Sequence, residues 1–185
     1  MPNFKIDDFT SKLSNGGALS SLFEVKITGY KGTVDSAKMN DFRYLCKGVT
    51  LPASAIEAAG VTYMGRAINI PGNRAAQQVQ TSVYNDEWME IRNHIESWME
   101  RINSQNMNKR AAGFDAINSY TGTMVINQLS KDGQMDTKEY EFINVWPSST
   151  GDLTLAWDSN EIQTFDITWE FSYWRSADSQ AGYSS

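Results

Sequence analysis

The clearest pattern along the chain is an alternation near its C-terminal end. Phe165, Ile167, Trp169, Phe171 and Tyr173 point one way, and Thr164, Asp166, Thr168, Glu170 and Ser172 point the other. A period of two built from aromatic and β-branched residues predicts a half-buried strand. Run from Ile162 to Trp174, that strand would span about 43 Å. Leu153, Leu155 and Trp157 alternate into it through Asp158-Ser159-Asn160.

The same periodicity recurs upstream. Phe23, Val25 and Ile27 alternate with Glu24, Lys26 and Thr28, which predicts a first strand over 22–28. Gly29 to Asn40 reads as a loop, and 42–49 as a second strand with Phe42, Tyr44 and Cys46 on one face. Leu51 to Gly60 reads as a loop. Val61 to Ile70 is a third strand, with Ile68 and Ile70 on one face and an open hairpin tip at Pro71-Gly72-Asn73 carrying Arg74. Gln77 to Tyr84 returns, with Val79, Thr81 and Val83 on its apolar side.

One segment breaks to a period of 3.6. Trp88, Ile91, Ile95, Trp98, Met99 and Ile102 fall on one arc, predicting a helix from about 86 to 103 with Asn85 as its N-cap and Met89 exposed. After a loop over 103–119 comes a hairpin, Tyr120–Ser130 and Met135–Trp146, turned at Asp132-Gly133. Val125, Tyr140 and Phe142 are expected on one face of it, with Met124 and Ile126 on the other, which would give two buried surfaces. Pro147 to Asp152 reads as a turn. The sum is a mainly β chain: an antiparallel sandwich or barrel of about eight strands with one flanking helix.

Composition narrows the function classes. A chain of 185 residues suits one domain, here 21–174, with an N-terminal arm over 1–20 and a C-terminal tail over 175–185. Asn15-Gly16-Gly17 breaks the arm, and Phe4, Ile6 and Phe9 give it apolar handles. Cys46 is the one cysteine, so no intramolecular disulfide forms and a reducing compartment is expected. The start MPNFKIDDF has neither the basic nor the apolar region of a signal peptide, and no apolar run reaches the ~20 residues of a membrane helix, so a soluble chain with no membrane contact is expected. A net charge of −6 opposes stable grip on a phosphate backbone.

No chemistry assembles from the remaining side chains. His94 is the one histidine and has no cysteine near it in sequence, so neither a metal site nor an activated Cys46 is expected. Asp166 and Glu170 share a strand face but stand about 13 Å apart, too far for a paired-carboxylate hydrolase. Asp158-Ser159-Asn160-Glu161 lacks EF-hand spacing. Phosphate-loop, dinucleotide and nucleophile-elbow motifs are missing too. The 6 Trp and 8 Tyr could build a sugar platform, which keeps a carbohydrate-binding β-sandwich as an alternative. The better reading is a structural, non-enzymatic protein without cofactor, whose self-association would use the arm, the 70–74 tip or the 120–146 hairpin.

Four stretches, in order, resemble the tail tube protein family of contractile-tailed bacteriophages. Leu51-Pro52-Ala53 leads to Tyr63-Met64-Gly65-Arg66-Ala67-Ile68-Asn69-Ile70 and Gly72-Asn73-Arg74; Tyr84-Asn85-Asp86-Glu87 opens the helix; Trp146-Pro147 precedes Gly151-Asp152-Leu153; and Trp157-Asp158-Ser159-Asn160 leads through Glu161 to Phe165 and Tyr173-Trp174. The resemblance covers roughly residues 20–174. It implies six subunits closing into a ring, rings stacked into the inner tail tube of the virion, and assembly in the host cytoplasm. It also implies a sheath outside, tape-measure protein within, baseplate proteins at the end, and DNA passing through the lumen at ejection. Leu51, Pro52, Tyr63, Met64, Arg66, Asn73 and Arg74 are then the candidates for contacts between subunits. The loop at 31–40, the arm and the tail depart from the family pattern. A baseplate tube-initiator, which shares the fold, is the alternative within this class, and the polar face carrying Asp166 and Glu170 could face either the lumen or the exterior.

Overall fold

A computed structural model describes residues 5–13, 16–28, 36–75, 77–132 and 136–176. In chain order the elements are α1 (Ile6–Lys12), β1 (Phe23–Thr28), α2 (Ser36–Leu45), β2 (Cys46–Thr50), β3 (Ile56–Tyr63), β4 (Arg66–Arg74), β5 (Val79–Tyr84), α3 (Glu90–Ile102), α4 (Ile117–Tyr120), β6 (Gly122–Leu129), β7 (Asp136–Thr150), β8 (Thr164–Glu170) and β9 (Tyr173–Ser176). The chain is mainly β and its strand pairs are antiparallel, as the alternation predicts. One sheet runs in the order β1-β6-β7-β8-β5-β2, with β9 added on β7 and β3-β4 standing apart as a second, two-stranded sheet.

The 15-residue β7 organises the larger sheet. Its first part pairs with β6 and β9, and its last part, from Trp146 to Thr150, pairs with β8. The sheet thus has two wings that share one strand, and a single core lies against both. Val25, Met124, Ile126 and Phe142 come from the first wing, Val79, Val83, Phe165, Ile167 and Trp169 from the second, and Phe42, Ile91, Ile95 and Trp98 from the helices. Trp169 is central: its ring stands edge-on to Phe42 at 6.1 Å and tilted against Trp98 at 5.9 Å. The Trp98 indole N–H donates to the Tyr120 carbonyl at 2.7 Å, so the polar end of that large side chain is satisfied as burial demands.

Several sequence expectations are corrected. Residues 42–45 are not strand but the end of α2, and the chain turns to strand only at Cys46. Met39, Phe42 and Cys46 are buried at spacings of three and four, while Tyr44 is exposed. A helical period, not a period of two, thus sorts this segment. Residues 56–60, expected as loop, open β3, and the third strand is in fact the two strands β3 and β4. The turn lies at Met64-Gly65, not at Pro71-Gly72-Asn73, which β4 crosses. There the β3-β4 register shifts between Ile56 and Ala58, so Pro71 sits beside an irregularity that spares its missing N–H. A Cβ on Gly72 would stand 2.9 Å from the Glu57 carbonyl oxygen, so the glycine answers to close strand approach rather than to a turn.

The helix starts at Glu90 rather than 86. Asp86, not Asn85, caps it, its Oδ1 accepting from the Glu90 amide at 2.9 Å. Met89 holds a left-handed φ of 51° between them. This tight lead-in turns Trp88 out to solvent and leaves Met89 half-buried, the reverse of the helical-arc expectation. Ile91, Ile95 and Trp98 are buried as the arc predicts. Helices α2, α1 and α4 add to the one expected. The 103–119 loop ends in α4, which takes up Tyr120.

In the β6-β7 hairpin, Ile126 pairs with Tyr140 and Met124 with Phe142, so these four share the core face, while Val125 lies opposite Glu141 on the other. The apolar residues gather on the first face, while on the second Val125 is half-buried and Asn127 buried. Pro147 is no turn either: β7 continues through it to Thr150, with a register shift between Pro147 and Ser149 that absorbs the missing donor. The long final strand is broken at Phe171-Ser172. Beyond the break β9 leaves β8 and pairs with the first part of β7, so Tyr173 becomes exposed. Residues 153–157 are loop, and Leu155 and Trp157 are exposed. In the arm, Ile6 and Phe9 are exposed on α1. Phe4, Asn15, residues 29–35, Gly133 of the expected turn and residues 177–185 lie outside the described residues.

Candidate functional site

The side chains that could carry chemistry do not converge. Cys46 is buried, and burial pushes its thiol up to about 11. His94 lies half-buried on α3. Asp166 and Glu170 share the polar face of β8, and Glu170 accepts from the Gln78 amide at 2.5 Å. Among the described residues no group of three or more His, Cys, Asp or Glu could hold a metal ion.

What the fold presents instead is a surface. The β3-β4 hairpin leaves the sheet after β2 and returns just before β5, and every residue of both strands is exposed. Val61 pairs with Ile68, Ala59 with Ile70, and Tyr63 with Arg66. Directly opposed residues lie on one face of an antiparallel pair, so Val61, Tyr63, Ile68 and Ile70 form an apolar stripe ending in Arg66. The other face carries small and polar groups, with Gly60 opposite Asn69 and Thr62 opposite Ala67. A lone two-stranded hairpin is marginal in water, and this one leaves its apolar stripe exposed.

The turn at the tip is a two-residue connection with positive φ at both positions, 47° at Met64 and 76° at Gly65. Glycine suits this geometry and methionine does not. Met64 is 89% exposed, so among the described residues little packing offsets the strain.

The residues singled out from sequence fall at the two ends of this one hairpin. Tyr63, Met64 and Arg66 cluster at the tip. Asn73 and Arg74 lie at the base, with Leu51 and Pro52 on the approach from β2, and the Arg74 guanidinium donates to the Ser54 hydroxyl at 3.0 Å. Tip and base are about 23 Å apart along β4, so the candidates make no single cluster. Sequence reasoning missed Val61, Ile68 and Ile70 as surface. Their alternation was visible, but apolar alternation alone does not distinguish a face packed on its own core from one left open.

Other exposed apolar side chains lie elsewhere, on two segments joined by a backbone bond. Leu155, Trp157 and Ile162 are exposed on the loop between β7 and β8, and Trp88 is exposed on the lead-in to α3. The two segments meet where the Asn85 amide donates to the Gln163 carbonyl at 2.9 Å.

Comparison with known proteins gives this architecture its family. A family model described as phage tail tube protein matches residues 18–177. The tail tube protein gp19 of Enterobacteria phage T4 is 34% identical over 171 residues, covering 91% of this chain and 98% of that protein. The gp19 protein of Enterobacteria phage T6 is 35% identical with the same coverage. Among solved structures, a chain of the sheath-tube complex of an extracellular contractile injection system, PVC, in its extended state shares the fold. Its TM-score is 0.61 at 13% identity, over 90% of this chain and 96% of that one. A chain of the tube-terminating cap of the anti-feeding prophage matches with TM-score 0.61 at 16% identity, over 86% and 89%. The chain therefore belongs to the phage tail tube protein family, and it is a structural component of the virion rather than an enzyme.

Proposed function

We propose that six copies of this chain close into a ring and that rings stack into the inner tube of a contractile tail, through which DNA passes to the host at ejection. Assembly takes place in the host cytoplasm. Residues 21–174 form the tube domain, flanked by the 1–20 arm and the 175–185 tail. A sheath surrounds the tube, tape-measure protein occupies it before ejection, and baseplate proteins meet its end.

The observation that carries this reading is the β3-β4 hairpin: both of its strands are exposed, and one face is a continuous apolar stripe. A subunit that works alone gains nothing from such an element, whereas a polymer covers it. Leu51, Pro52, Tyr63, Met64, Arg66, Asn73 and Arg74 contribute from its tip and base. The net charge of −6 supports the transport role, since a chain that is acidic overall offers DNA no counterion-release gain.

Negative-stain microscopy of concentrated protein tests the proposal. Tubes of six-fold symmetry and open-ended length are expected, and a strict monomer at every concentration would reject them. Rings that stop at one layer would instead assign the chain to tube initiation. The double variant Arg66→Glu, Arg74→Glu is expected to keep the subunit fold and lose polymerisation; normal tubes from it would remove the hairpin from the interface.

A further inference from the structure

The hairpin stripe and the segments carrying Trp88, Leu155, Trp157 and Ile162 lie at opposite ends of one wing of the sheet. Strand β2 ends at Thr50 opposite Gln80, so the hairpin springs from the Val79 end of β5. At the other end Tyr84 pairs with Thr164, and the chain then enters the segments that carry Trp88 and, across the Asn85–Gln163 hydrogen bond, Ile162. Leu155 and Trp157 flank the same loop, which curls around a shallow recess lined by Thr154, Ala156, Ser159 and Glu161. Among the described residues nothing covers Trp157.

The charges at the two ends are opposite. The hairpin carries Arg66 and Arg74 against a single Glu57. Segments 85–89 and 151–163 carry Asp86, Glu87, Asp152, Asp158 and Glu161 and no lysine or arginine. Arg92 reaches this end, but it donates to the Gly151 carbonyl and pairs with Glu96, so acid still dominates there.

We infer that the apolar face of the β3-β4 hairpin of one copy seats on the Trp88, Leu155, Trp157 and Ile162 surface of the next copy. This rests on the tube reading above and names the socket for its most exposed element. The contact is head-to-tail: each copy offers a hairpin at one end and a socket at the other, and such an interface propagates instead of closing on a pair. Val61, Tyr63, Ile68 and Ile70 cover the aromatic surface, while Arg66 meets the acidic rim, which orients the approach. Trp157 is the anchor, since a large aromatic residue wholly desolvated by its partner dominates an interface of this kind.

Complementation between two variants tests this. Val61→Asp with Ile68→Asp disables the hairpin and leaves the socket; Trp157→Asp disables the socket and leaves the hairpin. Because all three residues are exposed, circular dichroism melts should match the wild type. Each variant alone should raise the critical concentration for polymerisation by at least about tenfold. Mixed, they should form a discrete assembly that does not lengthen, because only one kind of junction, intact hairpin into intact socket, remains. Polymerisation of Trp157→Asp at the wild-type concentration would overturn the inference, as would a mixture that forms no complex. Failure of the wild type itself to polymerise would instead remove the tube reading beneath it.

Discussion

The indole N–H of Trp169 donates to the Thr81 hydroxyl at 2.8 Å, and both side chains are buried. The two residues sit on neighbouring strands β8 and β5, and the bond ties the central aromatic of the core to the sheet it packs on. Thr81→Val keeps the shape but strands the indole donor, at a cost of about 1–3 kcal/mol. The same substitution made in a Trp169→Phe background, where no donor is left to strand, should cost less. Urea unfolding of the two singles and the double gives the coupling directly; equal costs in both backgrounds would show that the bond contributes nothing.

Burial raises the Cys46 thiol from 9.0 to about 11, the backbone contact to Gly48 opposing only in part. A native pKa above the unfolded one means that the folded state holds its proton more tightly. The associated stability is complete below pH 9 and is lost as pH rises through about 11. Unfolding free energy should therefore fall by about 2–3 kcal/mol across that window from this group alone. Cys46→Ala should flatten that part of the profile, as read from denaturant midpoints at stepped pH. In the native protein at pH 8 the thiol should also resist maleimide.

Asp86 accepts from the Glu90 amide at 2.9 Å across the N-terminal turn of α3, where Met89 at the cap position makes no side-chain cap bond. Asp86→Ala should destabilise the subunit by about 1 kcal/mol. Asp86→Asn should recover most of that, because the amide oxygen can still accept. Thermal unfolding checks both; an unchanged melting temperature in the alanine variant would show that the helix start is held by packing alone.

Gly65 has a φ of 76° at the hairpin tip. Gly65→Val should strain the turn by about 1–2 kcal/mol, yet the hairpin touches little of the core, so the melting temperature of the free subunit should stay at the wild-type value. The cost should appear in assembly, as a higher critical concentration. Loss of subunit stability without loss of assembly would reverse the assignment of that element.

How far the sequence led depends on what each period could report. The β8 alternation put Phe165, Ile167 and Trp169 on one buried face, and the 3.6-residue arc placed Ile91, Ile95 and Trp98 correctly. Both signals reflect a face packed on its own subunit. Met39, Phe42 and Cys46 obey a helical period, but the aromatic pair Phe42 and Tyr44 looked like a strand face. Pro71 and Pro147 suggest turns because a proline usually interrupts a ladder; both sit beside register shifts, which only the pairing of strands reveals. The hairpin tip was misplaced by the same proline, since a Met-Gly turn lacks the Asn-Gly chemistry that marks such tips. The family motifs point to Tyr63, Met64, Arg66, Asn73 and Arg74, which the fold places at the two ends of one hairpin. They could not say that its apolar face is bare, nor that Trp157 is exposed, because exposure belongs to the packed molecule.

The strand shared by the two wings has a mechanical consequence. β7 changes partners between Val145 and Trp146, but one core packs against both wings, so the halves cannot part without exposing that core. The subunit should open as a single cooperative unit, with the amides of β7 among the last to exchange with deuterium. A wall built of such pieces transmits load through continuous backbone within each subunit, and leaves the joints between subunits as the places where it can flex.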